Sequence, residues 1–168
     1  MTGPLGSHGE KLRIWSGAFL QMPNTQNMSP YAVRRTYVYR GKVVDRQVHL
    51  GLDLASTAGA PVPAANGGVV TMVGDLGIYG QTVVVDHGQG LFSLYSHLSG
   101  ITVAEGERVA RGQAVGTSGQ SGMAGGDHLH FSILVGGEFV NPVEWLDDHW
   151  IADNVANKLA LFSGGTPP

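Results

Sequence analysis

Glycine sets the tightest limit on how this chain can fold: it fills 26 of 168 positions, alongside eight prolines. Inside a helix a glycine costs about 1 kcal/mol relative to alanine and a proline about 3 kcal/mol. Interruptions this frequent leave little room for long helices. They favour short strands joined by tight turns. The hydrophobic share is 42% and the charged share 14%, which excludes a disordered tract or a coiled coil and supplies a packed core. At this length one domain is expected, burying roughly two thirds of its unfolded surface.

Composition also narrows the partners. The formal net charge is -3 and lysine and arginine form no dense run, so no nucleic-acid or anionic-membrane partner is expected. Cysteine is absent; disulfides and thiolate ligands are thereby excluded, and any metal site must use His, Asp or Glu. No stretch is long and apolar enough to span a membrane, and no signal peptide opens the chain. Gly3-Pro4-Leu5-Gly6-Ser7 has the look of a protease-cleavage scar, so residues 1–7 are set aside as a vector-derived tail. One domain is expected over 8–162, with a loose tail at 163–168.

Along the chain, Tyr37-Val38-Tyr39, Arg40-Gly41 and Val43-Val44 predict a hairpin. Residues 49–54 alternate, with Leu50, Leu52 and Leu54 on one face and His49, Gly51 and Asp53 on the other. Further strands are predicted at 68–73, 82–86, 91–97, 109–115 and 128–135, giving an antiparallel, mainly β architecture. Asn141-Pro142 reads as a helix cap and first turn. Ile151, Val155, Leu159 and Phe162 then recur at helical spacing, so a C-terminal helix should pack on the sheet.

Five of the seven histidines fall between 49 and 130. His49 and Asp53 share a strand face, but a flat strand separates their Cα atoms by roughly 13 Å. One metal ion can join them only if the strand bends, which Gly51 allows; otherwise they are polar residues on a half-buried strand. His128 and His130 lie two apart opposite Leu129, Phe131 and Ile133, either as parts of one site or as a solvated edge. His97 closes a strand and alone says nothing. His87, beside Gly88 in a turn, predicts a structural hydrogen-bonding role, and His8 and His149 surface positions.

Taken in order, His49-x-x-x-Asp53, Ser96-His97-Leu98 and His128-Leu129-His130 resemble the lysostaphin-type (LytM-like) zinc metalloendopeptidases. So do the stretches 59–70, 85–91, 106–113 and 116–119, and the resemblance runs from about Ser29 to Trp145. It implies a β-rich fold, antiparallel sheet or barrel-sandwich-like, with one Zn2+ per chain bound by His49, Asp53 and His130. His97 and His128 would be the non-ligand catalytic pair. The implied substrate is the stem-peptide cross-link of bacterial peptidoglycan, in the periplasm or otherwise in the cell envelope or outside it. Tyr31 and Arg34 match an aromatic and a basic position of a Phe-Gly-x-Arg stretch and are implied substrate contacts; Ala32 departs from its glycine.

Two other readings compete with this one. Non-catalytic relatives that activate other wall hydrolases have typically lost ligands, and this chain keeps all three. The segment 105–116 also resembles biotinyl and lipoyl carrier domains, but Lys11, Lys42 and Lys158 are not placed to carry the group. Arg34, Arg35, Arg40 and Arg46 precede His49, as a solvated face or as a wall that meets substrate carboxylates. A D-Ala–diaminopimelate cross-link is preferred over a polyglycine bridge on three grounds. No wall-binding module is expected beside the catalytic domain, the segments around Trp145 and Trp150 look closer to Gram-negative members, and the arginines suit a carboxylated substrate.

Overall fold

A computed structural model describes residues 12–162; the expected tails at 1–7 and 163–168, and His8, lie outside them. In chain order the strands are β1 Gln26–Ser29, β2 Arg34–Tyr39, β3 Lys42–Val48, β4 Leu52–Ala55, β5 Pro61–Pro63, β6 Gly68–Asp75 and β7 Gln81–Asp86. They continue as β8 Leu91–Ser96, β9 Gly100–Ile101, β10 Arg108–Val109, β11 Ala114–Thr117, β12 Leu129–Val135 and β13 Glu138–Val140. Eight form one antiparallel sheet in the order β1-β4-β12-β8-β7-β6-β10, with β13 folded back on β12. A second sheet runs β5-β11-β9, and β2-β3 stand apart as a hairpin. No closed barrel forms among the described residues.

The central strands are covered on both faces, which is why Val83-Val84-Val85 is a continuous apolar run rather than an alternation. On one face Leu52, Leu54, Val83, Val85, Tyr95, Leu129, Phe131 and Ile133 pack with Val62 and Val115 of the second sheet. On the other, Val84, Phe92, Leu94 and Leu134 make a smaller cluster. Each such side chain, fully buried, contributes roughly 1.5–3 kcal/mol. The N-terminal segment adds Trp15, Phe19 and Met22 to the core; Trp15 and Phe19 meet Trp145 edge-on at 5.7 and 5.8 Å. His87 is fully buried, bonded through Nδ1 to the Gly67 carbonyl at 2.7 Å and through Nε2 to the Ser93 hydroxyl at 2.7 Å, the structural role expected of it.

The predicted hairpin forms, with both turn residues at positive φ: Arg40 at 49° and Gly41 at 76°, the twist a two-residue turn demands. Three expectations need correction. The strand predicted from His49 begins only at Leu52, because the chain bends before it. The strand predicted over 109–115 is two strands in different sheets, split by a turn in which Gln113 N–H bonds the Ala110 carbonyl at 3.0 Å. The helix divides as well. Asn141 caps only α1, Pro142–Trp145. Asp147 then caps α2, Asp148–Ile151, which passes through a π-helical turn, Ala152–Ala156, into α3, Asn157–Phe162. Ile151 and Val155 pack against the core as their spacing predicts, and His149 is exposed. No helix among the described residues is long and apolar enough to cross a membrane.

Candidate metal centre

The site grows from the pairing of β4 with β12, which sets His130 directly opposite Asp53. His49 is delivered by the bend that precedes β4. There Gly51 crosses β12 so closely that a Cβ on it would lie 2.5 Å from the Phe131 carbonyl oxygen and 2.6 Å from Ser132 Oγ. Only glycine fits. The bend closes the gap a flat strand would leave: His49 Nε2 and His130 Nδ1 each stand 2.9 Å from Asp53 Oδ1 and 3.0 Å from one another. All three residues are buried.

The partners behind the rings decide what this cluster can hold. His49 Nδ1 donates to the Pro30 carbonyl at 2.9 Å. Ser132 Oγ donates to the Leu50 carbonyl at 2.8 Å, so its contact with His130 Nε2 at 3.0 Å must be received from the ring. Each imidazole thus spends its proton outward and turns a lone pair inward, as second-shell partners of metal-bound histidines do. Two lone pairs and a carboxylate oxygen facing one another at 3 Å repel unless a cation lies between them. Two imidazole nitrogens and one carboxylate oxygen are a zinc donor set, and tetrahedral zinc at about 2.0–2.1 Å would part them by roughly 3.3 Å. The residues fit the ion.

Two further histidines flank the cluster. His97 and His128 rings lie 4.8 Å apart. His97 Nδ1 donates to the Ser121 carbonyl and His128 Nδ1 to the Gly126 carbonyl, both at 2.8 Å. Each Nε2 is left for chemistry, and that of His128 stands 3.6 Å from Asp53 Oδ1. His97 holds φ at 61°, a left-handed conformation that costs an ordinary side chain roughly 1–2 kcal/mol and concentrates at functional positions. Burial pushes the His97 imidazole down to about 4, keeping it neutral. The Asp53 carboxylate raises His128. Burial opposes the charge on Asp53, yet the neighbouring His128, His130 and His49 outweigh it when they carry a proton toward the carboxylate, and hold that carboxyl well below the usual range; an ion between the rings takes the place of that proton. Burial lowers His130.

A cleft opens over the cluster, lined by Arg35, Tyr37, His49, Tyr79, His97, Met123 and His130. Of the two expected substrate contacts, Tyr31 bonds the Phe139 carbonyl at 2.9 Å, and Arg34 is exposed at the start of β2. Neither lines this cleft. The next residue does: Arg35 Nη2 donates to Asp53 Oδ2 at 2.5 Å and to Ser29 Oγ at 2.9 Å. The signal for it lay in strand alternation, which puts Arg35 and Tyr37 on one face and Arg34 on the other.

Residues 47–142 match the model of peptidase family M23. The chain belongs to that family. Among M23 relatives, it is 41% identical over 97 residues to the DD-carboxypeptidase/endopeptidase Mpg of Neisseria meningitidis, covering 58% of this chain and 22% of the relative. It therefore spans about a fifth of that relative's length. A zinc-containing peptidase from Vibrio cholerae superposes with a TM-score of 0.65 at 32% identity, over 77% of this chain and 39% of that one. The catalytic domain of lysostaphin from Staphylococcus simulans superposes at 0.62 with 26% identity, over 73% of this chain and 92% of that domain. His49, Asp53 and His130 are positioned to bind one metal ion, and the Vibrio cholerae neighbour is a peptidase that contains zinc.

Proposed function

We propose that this chain is a zinc-dependent endopeptidase that hydrolyses peptide cross-links of bacterial peptidoglycan, at the D-Ala–diaminopimelate bond, and so acts in the cell envelope or outside the cell. The observation that carries the reading is the inward convergence of His49, Asp53 and His130 with two further imidazoles beside them. Relatives named as peptidoglycan DD-endopeptidases support the substrate.

When bound, zinc supplies Lewis acidity to the scissile carbonyl and to the attacking water. The protein's own groups do the rest. His49 and His130 are locked in the ligating tautomer by Pro30 and Ser132. His97 and His128 are both committed at Nδ1; His97 lines the cleft, and the Nε2 of His128 stands 3.6 Å from Asp53 Oδ1, beside the ligand cluster. When neutral, such a nitrogen can take the water's proton and afterwards return it to the departing amine; when protonated, it can hydrogen-bond the developing oxyanion. The pair divides these two tasks.

The test is mass spectrometry of muropeptides after digestion of purified wall, with four variants in parallel. Asp53→Ala and His130→Ala should lose zinc and hydrolysis together. His97→Ala and His128→Ala should keep zinc and fold while losing about a hundredfold to ten-thousandfold in rate. Full zinc in both ligand variants would overturn the metal assignment, and release of glycine-bridge products with diaminopimelate dimers left intact would overturn the substrate.

A further inference from the structure

Among the described residues that line the cleft, Arg35 is the one side chain with a permanent charge. Its hold is one-sided. Nη2 is fixed by Asp53 Oδ2 and Ser29 Oγ, which sets the plane of the rigid guanidinium. Nε and Nη1 bond no acceptor among the described residues, and the side chain is 36% exposed. A role confined to steadying Asp53 would need only the nitrogen already engaged; Arg35 also lines a cleft whose other walls are imidazoles, phenols, the Gln47 amide and apolar groups.

The position of these donors says what they can read. One carboxylate, Asp53, separates them from the ligand cluster: Oδ1 touches His49 and His130, and Oδ2 touches Arg35. In a peptide, an anionic group on the carbon bonded to the scissile nitrogen lies roughly 4–6 Å from the scissile carbonyl oxygen, by backbone dimensions. Arg35 Nη2 is 2.5 Å from Asp53 Oδ2, and the other oxygen of that carboxylate is 2.9 Å from each ligating nitrogen, which puts the guanidinium within reach of such a group. We infer that Arg35 is a specificity-determining residue that binds a free carboxylate on the carbon next to the scissile nitrogen, on the amine side of the bond being cut. This rests on the peptidase reading above and sharpens it. The linked centre of diaminopimelate carries such a carboxylate, whereas in a glycine bridge the same carbon carries a neutral peptide carbonyl.

The experiment uses two synthetic cross-linked dimers identical except that this group is a free carboxylate in one and a carboxamide in the other. The zinc-loaded protein should cut the acid with kcat/KM about 10- to 100-fold higher, chiefly through KM, the scale of one charge-assisted contact. In Arg35→Gln the ratio should fall to near one, and in Arg35→Lys it should be intermediate. Because the readout is a ratio on a single protein, any general loss from a loosened Asp53 cancels. Calorimetric binding of the uncut pair to the His128→Ala protein should give the same preference without turnover. Equal cleavage of both dimers by the unaltered protein, which needs no variant to fold, would overturn the inference and leave the peptidase reading standing. So would an Arg35→Gln protein that keeps the preference. Cleavage of neither dimer would strike down the peptidase reading and this inference with it.

Discussion

At the scale of single residues, the metal centre depends as much on what stands behind the ligands as on the ligands. His49 and His130 offer lone pairs inward only because the Pro30 carbonyl and the Ser132 hydroxyl take their other protons. Gly51 contributes no atom to the ion and still decides whether the site exists, since the bend that delivers His49 passes against the backbone of β12. Gly51→Ala should therefore act as an overpacking mutation, costing about 1–3 kcal/mol in urea unfolding, and should weaken zinc binding at least tenfold in a chelator competition. Wild-type zinc affinity in this variant would show that His49 can arrive by another path. The motif His49-x-x-x-Asp53 was legible as a pair on one face. What the spacing left open was their distance, because nothing local fixes how sharply a glycine bends.

Among the elements, the β2–β3 hairpin is the least supported by packing: it pairs only with itself, and Val38, Tyr39, Val43 and Val44 are exposed. Its root is held to the site by the Ala32 N–H to His49 carbonyl bond and the His49 N–H to Val33 carbonyl bond, both 2.8 Å, and by Arg35 on Asp53. Ala32 stands where the family's pattern has glycine, and it adopts φ of 67°. The turn that the alanine put in question forms all the same, at a steric cost of about 1–2 kcal/mol that glycine would not bear. Ala32→Gly should raise stability by about 1 kcal/mol and Tm by roughly 2–4 °C, read by calorimetry. An unchanged or lowered Tm would mean that the added backbone freedom of the unfolded chain cancels the relief. Arg35 was legible only as one of a group of arginines; its contact with Asp53 depends on where the hairpin root lies over β4, which hairpin periodicity does not specify.

For the whole molecule, the buried histidine that takes no part in the site makes stability depend on pH. His87 is sealed between Gly67 and Ser93, and burial pushes its imidazole down from 6.5 to about 4. Below pH 6.5 the unfolded chain takes up a proton that the folded one refuses until about pH 4. Its contribution is thus fully present above 6.5 and is lost as pH falls from there to 4. The loss amounts to about 3 kcal/mol at 1.36 kcal/mol per unit. Urea unfolding of zinc-free wild type and His87→Gln at pH 7.5 and pH 4 isolates it: wild type should lose about 3 kcal/mol more than the variant. Parallel losses would show that His87 is protonated as readily when folded as when free.

The chain by itself determined the kind of fold and the chemistry available to it. Dense glycine and proline dictate short strands; the absence of cysteine restricts ligands to His, Asp and Glu; the period-two pattern of residues 128–135 places His128 and His130 on one face. These follow from local sterics and composition, which act over a few residues. Only the tertiary structure decided that Asp53 lies opposite His130 across a strand pair 77 residues apart in sequence, and that Arg35 rather than Arg34 reaches the cleft. It also split the run predicted at 109–115 between two sheets and drew Trp15 and Phe19 onto Trp145. Each of these is a choice among long-range contacts of similar local propensity, settled by which arrangement buries the most apolar surface while leaving every buried polar group a partner.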